Sequence, residues 1–313
     1  MILTLTLNPS LDRTIEIGSL DRGAVIRAAA AHLDPGGKGV NVSRALLANG
    51  VTSCAVVPYG GDEGRQLVNL LSLEGLDMVT VPVSGSTRSN VTLAEPDGTI
   101  TKINEPGTPL TADELDVIAD AVLTAAHSAD WVVASGSLPP DVPHDVYAGL
   151  CRRFAAAGIL LAVDTSGPAL TSVLAAGPAL VKPNREELAE ATGVPITCLG
   201  DVLEAAGKLR ASGARAVLAS LGADGAVLVE ETGIWYGEAV VSEPRSTVGA
   251  GDAMLAGFLA AGGTGPAALS TALAWGAAAV ALPGSRMPTP NDIDPTPIPI
   301  STPNPTRPLT PHP

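Results

Sequence analysis

The run Ser246-Thr247-Val248-Gly249-Ala250-Gly251-Asp252-Ala253-Met254 sets a carboxylate beside residues with little or no side chain. Apolar Met254, Leu255, Phe258 and Leu259 follow at helical spacing, so the small residues stand at a helix start. The first backbone N–H groups of a helix lack internal partners, and the positive end of the helix dipole lies there. Small residues let an anion approach those donors closely. A carboxylate beside such an anion hole suits a general base that activates a hydroxyl while the amides take up phosphate charge. A tight turn with a favourable acid in the first helical turn explains the same local pattern.

Other stretches carry related chemistry. Gly36-Gly37-Lys38-Gly39-Val40-Asn41 is a glycine-rich turn at a helix start holding one of only four lysines. It is not a Walker A loop, because Gly39 stands where that pattern needs Ser or Thr. Backbone could approach a ligand there while Lys38 and Asn41 grip its oxygens; a flexible turn with a solvated lysine is the plainer reading. Asp12, after a strand and turn, could accept hydrogen bonds from sugar hydroxyls or merely cap the turn. Arg88 could pair with a phosphate, or be an ordinary solvated arginine.

In Lys182-Pro183-Asn184-Arg185-Glu186-Glu187, Asn184 and Glu187 are three apart and share a helical face. They could form a helix cap, or orient water around Mg²⁺ on a nucleotide. Ser220-Leu221-Gly222-Ala223-Asp224-Gly225 joins two strands, as a plain turn or as a backbone floor for a nucleotide. Ser135-Gly136-Ser137-Leu138-Pro139-Pro140 and Asp164-Thr165-Ser166-Gly167 read as further turns after strands.

The elements that must position these residues follow from periodicity. From Thr111 onward helices and buried strands alternate, which implies a mostly parallel sheet with helices on both faces. Ligands of such sheets bind at the carboxyl ends of the strands, where most of these motifs lie. Arg13 to Leu33, with the segments Thr87–Glu95 and Thr99–Asn104 flanking the Pro96-Asp97-Gly98 turn, reads as a small sheet outside the main core. From Pro283 to Pro313 eleven of 31 residues are proline, and from Asp294 on an extended, disordered tail is expected.

Composition narrows the classes. The 313 residues are 46% apolar but only 3% aromatic, so the core must rest on Ala, Val, Leu and Ile. A net charge of −14 argues against non-specific nucleic-acid binding. Cys54, Cys151 and Cys198 form no paired framework, the histidines lack metal-ligand spacing, and no GxSxG elbow occurs. No apolar run is long enough to span a bilayer and no export signal opens the chain, so a cytoplasmic protein is expected.

Taken in order, Asn8-Pro9-Ser10-Leu11-Asp12, Gly36-Gly37-Lys38-Gly39-Val40-Asn41, Ser135-Gly136-Ser137-Leu138-Pro139, Lys182-Pro183-Asn184-x-x-Glu187, Ser220-Leu221-Gly222 and Thr247-Val248-Gly249-Ala250-Gly251-Asp252 resemble the phosphofructokinase B family of ribokinase-like sugar kinases. Within it the chain resembles the 1-phosphofructokinase and tagatose-6-phosphate kinase branch. The resemblance implies an α/β fold: a ribokinase-like three-layer α/β/α core over residues 1–293, with a lid from about 13–33 and 87–105. It implies ATP and Mg²⁺ as cofactors and a homodimer formed through the lid. Asp252 would be the catalytic base, with the amides of Gly249, Ala250 and Gly251 as anion hole. Asp12, Gly37, Lys38 and Asn41 would hold the sugar and Arg88 its phosphate. Lys182, Asn184, Glu187, Ser220, Gly222 and Gly225 would lie along the nucleotide, Asn184 and Glu187 holding metal through water.

The expected reaction is phosphoryl transfer to D-fructose 1-phosphate. Tagatose 6-phosphate and fructose 6-phosphate are the competing acceptors, and a non-catalytic sugar-phosphate-binding regulator is the competing class. Lys38 favours the 1-phosphofructokinase-like branch, because 6-phosphofructokinases of the family tend to carry Gly there. Relatives usually continue into a final helix where this chain turns proline-rich.

Overall fold

The computed structural model describes residues 1–311. Ten strands form the main sheet, in the order Ile300–Ser301, Gly233–Gly237, Ala226–Glu230, Val217–Ser220, Leu180–Val181, Leu160–Asp164, Trp131–Ser135, Ile2–Leu5, Ser53–Tyr59, Met78–Pro82. From Val217–Ser220 to Met78–Pro82 every pairing is parallel; the three pairings at the other end are antiparallel. The central strands Ile2–Leu5 and Trp131–Ser135 are buried throughout, as strands covered on both faces must be.

Alternation sorts their side chains into two cores. Leu3, Leu5, Val132 and Ala134 face one layer, packing with Ile118, Tyr147, Phe154, Leu170 and Val202 of the helices there. Ile2, Trp131 and Val133 face the other, where they meet Val42 and Leu46 of the Lys38–Ala48 helix and the pair Ala250–Ala260 and Gly265–Val280. The Ala250–Ala260 helix is buried from Asp252 through Leu259. A helix apolar on all sides is held by neighbours on all sides, which makes its first turn a rigid platform.

A second sheet of four strands has the order Ala30–Gly36, Ser10–Glu16, Arg88–Ala94, Ile100–Asn104. Ser10–Glu16 leaves the core directly after Ile2–Leu5 and forms the spine of this lid. It pairs antiparallel with Ala30–Gly36 and parallel with Arg88–Ala94. Within the segment Arg13 to Leu33 expected in this small sheet, the second strand begins only at Ala30, runs on to Gly36 and carries Pro35. Pro35 is tolerated because this strand lies at the sheet edge, where a missing N–H leaves no ladder bond unmade.

The expected disordered tail is corrected. Ile300–Ser301 adds an edge strand to the main sheet, Leu309 is buried, and Leu309 N donates to Thr197 O at 2.8 Å. Proline removes donors, but this segment needs few: side chains of Asp224, Arg185, Glu238 and Ser270 bond to it, and its own carbonyls accept from the helix start at Leu199 and Gly200. His312 and Pro313 lie outside the described residues. No helix among the described residues is long and apolar enough to cross a membrane.

Candidate active site

Segments far apart in sequence assemble one charged cluster. Asn41, one turn into the Lys38–Ala48 helix, donates from Nδ2 to Asp252 Oδ2 at 2.9 Å. Lys38 Nζ donates to Asp164 Oδ1 at 2.8 Å and lies 3.5 Å from Glu187 Oε1. Lys182 Nζ sits 3.0 Å from the other Asp164 oxygen. A Cβ added at Gly251 would stand 3.4 Å from that same ammonium nitrogen. Base candidate, glycine tip and both lysines therefore share one neighbourhood.

The tip of the Ala250–Ala260 helix has the form the sequence suggests. Gly249 caps it at φ 77°, a left-handed conformation that a side chain resists. A Cβ there would also lie 2.7 Å from Met287 Cε. Among the described residues no backbone carbonyl accepts from the amides of Gly249, Gly251 or Asp252, and Ala250 N reaches Thr247 O only at 3.4 Å. Gly37 has a similar constraint at the other helix start: φ is 115°, and a Cβ would meet Thr6 Cγ2 at 2.7 Å.

The electrostatics divide the carboxylates into two kinds. Burial, reinforced by the charge of Asp164, lifts Asp252 from its ordinary 3.8 to about 6, against the opposing pull of Lys38, Asn41 and Lys182. Asp164 is wholly buried, which by itself would raise it; Lys182 and Lys38 outweigh that and hold it below its ordinary value. For Lys38, burial works against the charge, but Asp164 and Glu187 prevail and keep it protonated. One buried carboxylate is thus a fixed anion between two ammonium groups, and its neighbour is a proton acceptor close to neutral pH.

Around this centre the remaining expected residues fall into two groups. Asn184 and Glu187 form a capping box: Asn184 Oδ1 accepts from Glu187 N at 2.8 Å, and Glu187 Oε2 accepts from Asn184 N at 2.9 Å. Glu187 Oε1 is left facing Lys38. Asn184 bridges to Ser220, whose N–H donates to Pro183 O at 3.0 Å. The following turn, Gly222–Asp224, is closed by Leu221 N donating to Gly225 O at 2.8 Å.

In the lid, Asp12 Oδ1 accepts from Ser10 Oγ at 2.7 Å and from Asn90 Nδ2 at 2.9 Å. Gly36 lies against Asp12, so the strand ending at Gly36 and the helix starting at Lys38 carry one short path from Asp12 to Asn41 and Asp252. Arg88 is half-buried, its guanidinium donating to Asn8 O at 3.1 Å and Glu105 O at 3.0 Å. It stands at the lid base, opposite Ser10, rather than in the lysine cluster.

Sequence reasoning treated Asp164 only as part of a turn and passed over Asn90. Asp164 ends the buried strand Leu160–Asp164 of the parallel sheet, and an acid after such an apolar run is a signal. Asn90 had none, since only the register beside Asp12 singles it out.

A profile of the pfkB family carbohydrate kinases matches residues 5–292. The 1-phosphofructokinase of Rhodobacter capsulatus is 39% identical over 289 residues, covering 88% of this chain and 90% of that protein. The ATP-dependent 6-phosphofructokinase isozyme 2 of Mycobacterium tuberculosis is 38% identical, covering 82% and 76%. The crystal structure of phosphofructokinase-2 from Escherichia coli in complex with potassium superposes with a TM-score of 0.88 at 35% identity, covering 93% of this chain and 96% of that one. A buried carboxylate at a glycine-capped helix tip on a doubly covered parallel sheet, joined to a β lid, is the architecture of ribokinase-like sugar kinases. This chain belongs to the pfkB family of carbohydrate kinases. It is a sugar kinase, with ATP and a sugar phosphate as its substrates.

Proposed function

We propose that the chain transfers the γ-phosphoryl group of ATP to the C6 hydroxyl of D-fructose 1-phosphate, giving fructose 1,6-bisphosphate and ADP. The observation that carries the reading is the buried Asp252 carboxylate, lifted toward neutral pH, beside the Gly249 and Gly251 amides, which reach no backbone carbonyl among the described residues, and the Ala250 amide, held only by a long 3.4 Å bond to Thr247 O. Asp252 takes the hydroxyl proton as that oxygen bonds to phosphorus and the bond to ADP breaks. The amides of Gly249, Ala250 and Gly251 receive charge on the phosphoryl oxygens, with Lys182 nearby.

Three buried polar atoms support the sugar side: Asn41 Oδ1, Asn90 Oδ1 and Arg88 Nε have no hydrogen-bond partner among the described residues. Buried polar groups are nearly always paired, so a hydroxylated, phosphorylated ligand between Asp252 and the lid accounts for all three. Asp12, Gly37, Lys38 and Asn41 hold the sugar in this reading and Arg88 its phosphate. Lys182, Ser220, Gly222 and Gly225 lie along the nucleotide.

Asn184 Oδ1 and Glu187 Oε2 are engaged in the helix cap and Glu187 Oε1 faces Lys38, so these oxygens suit Mg²⁺ held through water rather than directly. Bound with the nucleotide, the ion neutralises phosphate charge. Two of the relatives named above differ in the acceptor their names give, so overall identity does not choose between sugars. Lys38 in the glycine-rich turn favours fructose 1-phosphate.

Turnover on fructose 1-phosphate, fructose 6-phosphate and tagatose 6-phosphate, followed by ADP release, tests the reading. The highest kcat/KM is expected on fructose 1-phosphate; preference for either 6-phosphate would overturn that choice. In the same assay Arg88→Ala should raise the sugar-phosphate KM roughly tenfold or more, the loss expected for a charged hydrogen bond, and leave the ATP KM alone. A weakened ATP KM instead would remove Arg88 from the phosphate.

The lid also leaves Ile100 and Ile103 half exposed, at 51% and 57%. We extend the proposal to a homodimer that covers them. Ile103→Glu should then sediment at half the wild-type mass, and equal masses would refute the lid contact.

A further inference from the structure

The proline-rich C-terminal segment has no task in the proposed reaction, yet it reaches both the turn and the helix start that the proposed nucleotide site uses. After pairing with Gly233–Gly237, it runs beside the start of the helix Leu199–Ala211. Gly200 N donates to Pro305 O at 2.8 Å, and Leu199 N to Arg307 O at 2.9 Å. Leu309 then inserts into the core. Arg307 lies over the Tyr236 ring at 5.0 Å and pairs with Glu238 at 2.6 Å. Tyr236 in turn donates to the carbonyl of Asp224 at 3.0 Å. The segment is a strap, fastened along its length.

Its last fastening is Thr310. Thr310 N donates to Asp224 Oδ2 at 2.9 Å and its hydroxyl to Asp224 Oδ1 at 3.0 Å. Its carbonyl accepts from Arg185 Nη1 at 2.6 Å. Asp224 closes the Gly222–Asp224 turn, and Arg185 stands between Asn184 and Glu187. One residue therefore ties the expected nucleotide floor to the helix start expected to face the metal.

The turn has reason to need a tie. Gly222 and Gly225 both adopt positive φ, 62° and 84°, and glycine turns lose much freedom when ordered. Asp224 is 8% exposed, and its carboxylate finds its hydrogen-bond donors in Thr310. Without them the turn keeps only its own backbone bonds and the Tyr236 contact, and more of its ordering falls to the nucleotide, at a cost in affinity.

We propose that Thr310 and Asp224 are positioning residues for the nucleotide, the strap holding the Gly222 turn and the Asn184–Glu187 helix start at fixed spacing. The proposal rests on the kinase reading above. Its test compares wild type, Asp224→Ala, Thr310→Ala and the double variant. Both KM values and kcat are measured, and ATP affinity is measured by calorimetry without sugar phosphate.

Asp224→Ala should weaken ATP, in KM and in Kd, by roughly fivefold to twentyfold, and Thr310→Ala by about twofold to fivefold. The double variant should be no worse than Asp224→Ala, because Thr310→Ala removes only the hydroxyl half of the contact that Asp224→Ala abolishes, its backbone N–H being retained. The sugar-phosphate KM and kcat should stay within about twofold of wild type. Unchanged ATP affinity, an equal rise in both KM values, or fully additive effects would each overturn the proposal by reducing the contact to general stability. Should Asp224→Ala not fold, Thr310→Ala decides alone, by whether ATP affinity falls while the sugar-phosphate KM holds. A wild-type protein that turns over fructose phosphates but shows unchanged ATP affinity in the variants refutes the strap alone. A wild-type protein that neither binds nor consumes ATP refutes the kinase reading and the strap with it.

Discussion

Asp252→Asn lowers kcat by roughly 10²–10⁴-fold, the usual contribution of a positioned general base, while the protein becomes more stable at neutral pH. The first effect follows because asparagine keeps the shape and the contact with Asn41 but accepts no proton. The second follows from burial. Asp252 is 6% exposed and its carboxyl is pushed up to about 6 from 3.8. A carboxyl whose folded value is raised costs stability wherever it must be charged. That cost is fully present above about pH 6, shrinks as pH falls through the folded value, and is gone below 3.8.

The gap corresponds to an upper bound of about 3 kcal/mol. Asp252→Asn should therefore unfold at a higher temperature than wild type at pH 7.5, and at a similar temperature near pH 3.5. The acid limb of the wild-type kcat/KM profile should lie near pH 6, where the base takes up its proton. A variant with kcat within a few-fold of wild type would strip Asp252 of its role. An acid limb near 4 would mean that burial does not tune it.

The second large effect belongs to Asp164. Asp164→Ala leaves Lys182, itself only 4% exposed, without its counter-charge, and leaves Lys38 with Glu187 as its one remaining ion-pair partner among the described residues. Breaking a buried ion pair from one side costs about 3–5 kcal/mol, because the surviving charge stays desolvated. Denaturant unfolding should report that loss, and a change under about 1 kcal/mol would show that water already screens the cluster.

The milder Asp164→Asn separates charge from shape. Asp164 is one of the influences raising Asp252, whereas Lys38 and Lys182 lower it. Removing the anion takes away an influence that raises Asp252 and leaves Lys182 without its ion pair and Lys38 with Glu187 alone, so the acid limb of kcat/KM should move to lower pH. A limb that stays in place or moves upward would remove Asp164 from the tuning of the base.

Much of this was legible along the chain. The helix starts at Lys38 and Ala250, the strand ends at Asp164 and before Lys182, and the turn after Ser220 each carry a local signature of glycine, proline or apolar period. The Asn184–Glu187 pair was ambiguous because a cap and a metal-facing pair use the same spacing. The structure displays the cap, with one Glu187 oxygen turned to Lys38. The tail misled because proline richness reports missing donors and says nothing of the acceptors offered elsewhere. Leu309 and Thr310 look like any tail residues until the core and Asp224 are beside them.

The order of strands and helices up to the proline-rich segment, the glycine-capped helix with its acid, and the family were determined by the sequence itself, since periodicity and small-residue turns act within a few residues. Which groups meet was decided only by tertiary structure. Asn41 and Asp252 are 211 positions apart, and Lys38 and Asp164 are 126 apart. Partners at such separations, and the burial that shifts their protons, come from closure of the sheet and its helical layers, which no local pattern encodes.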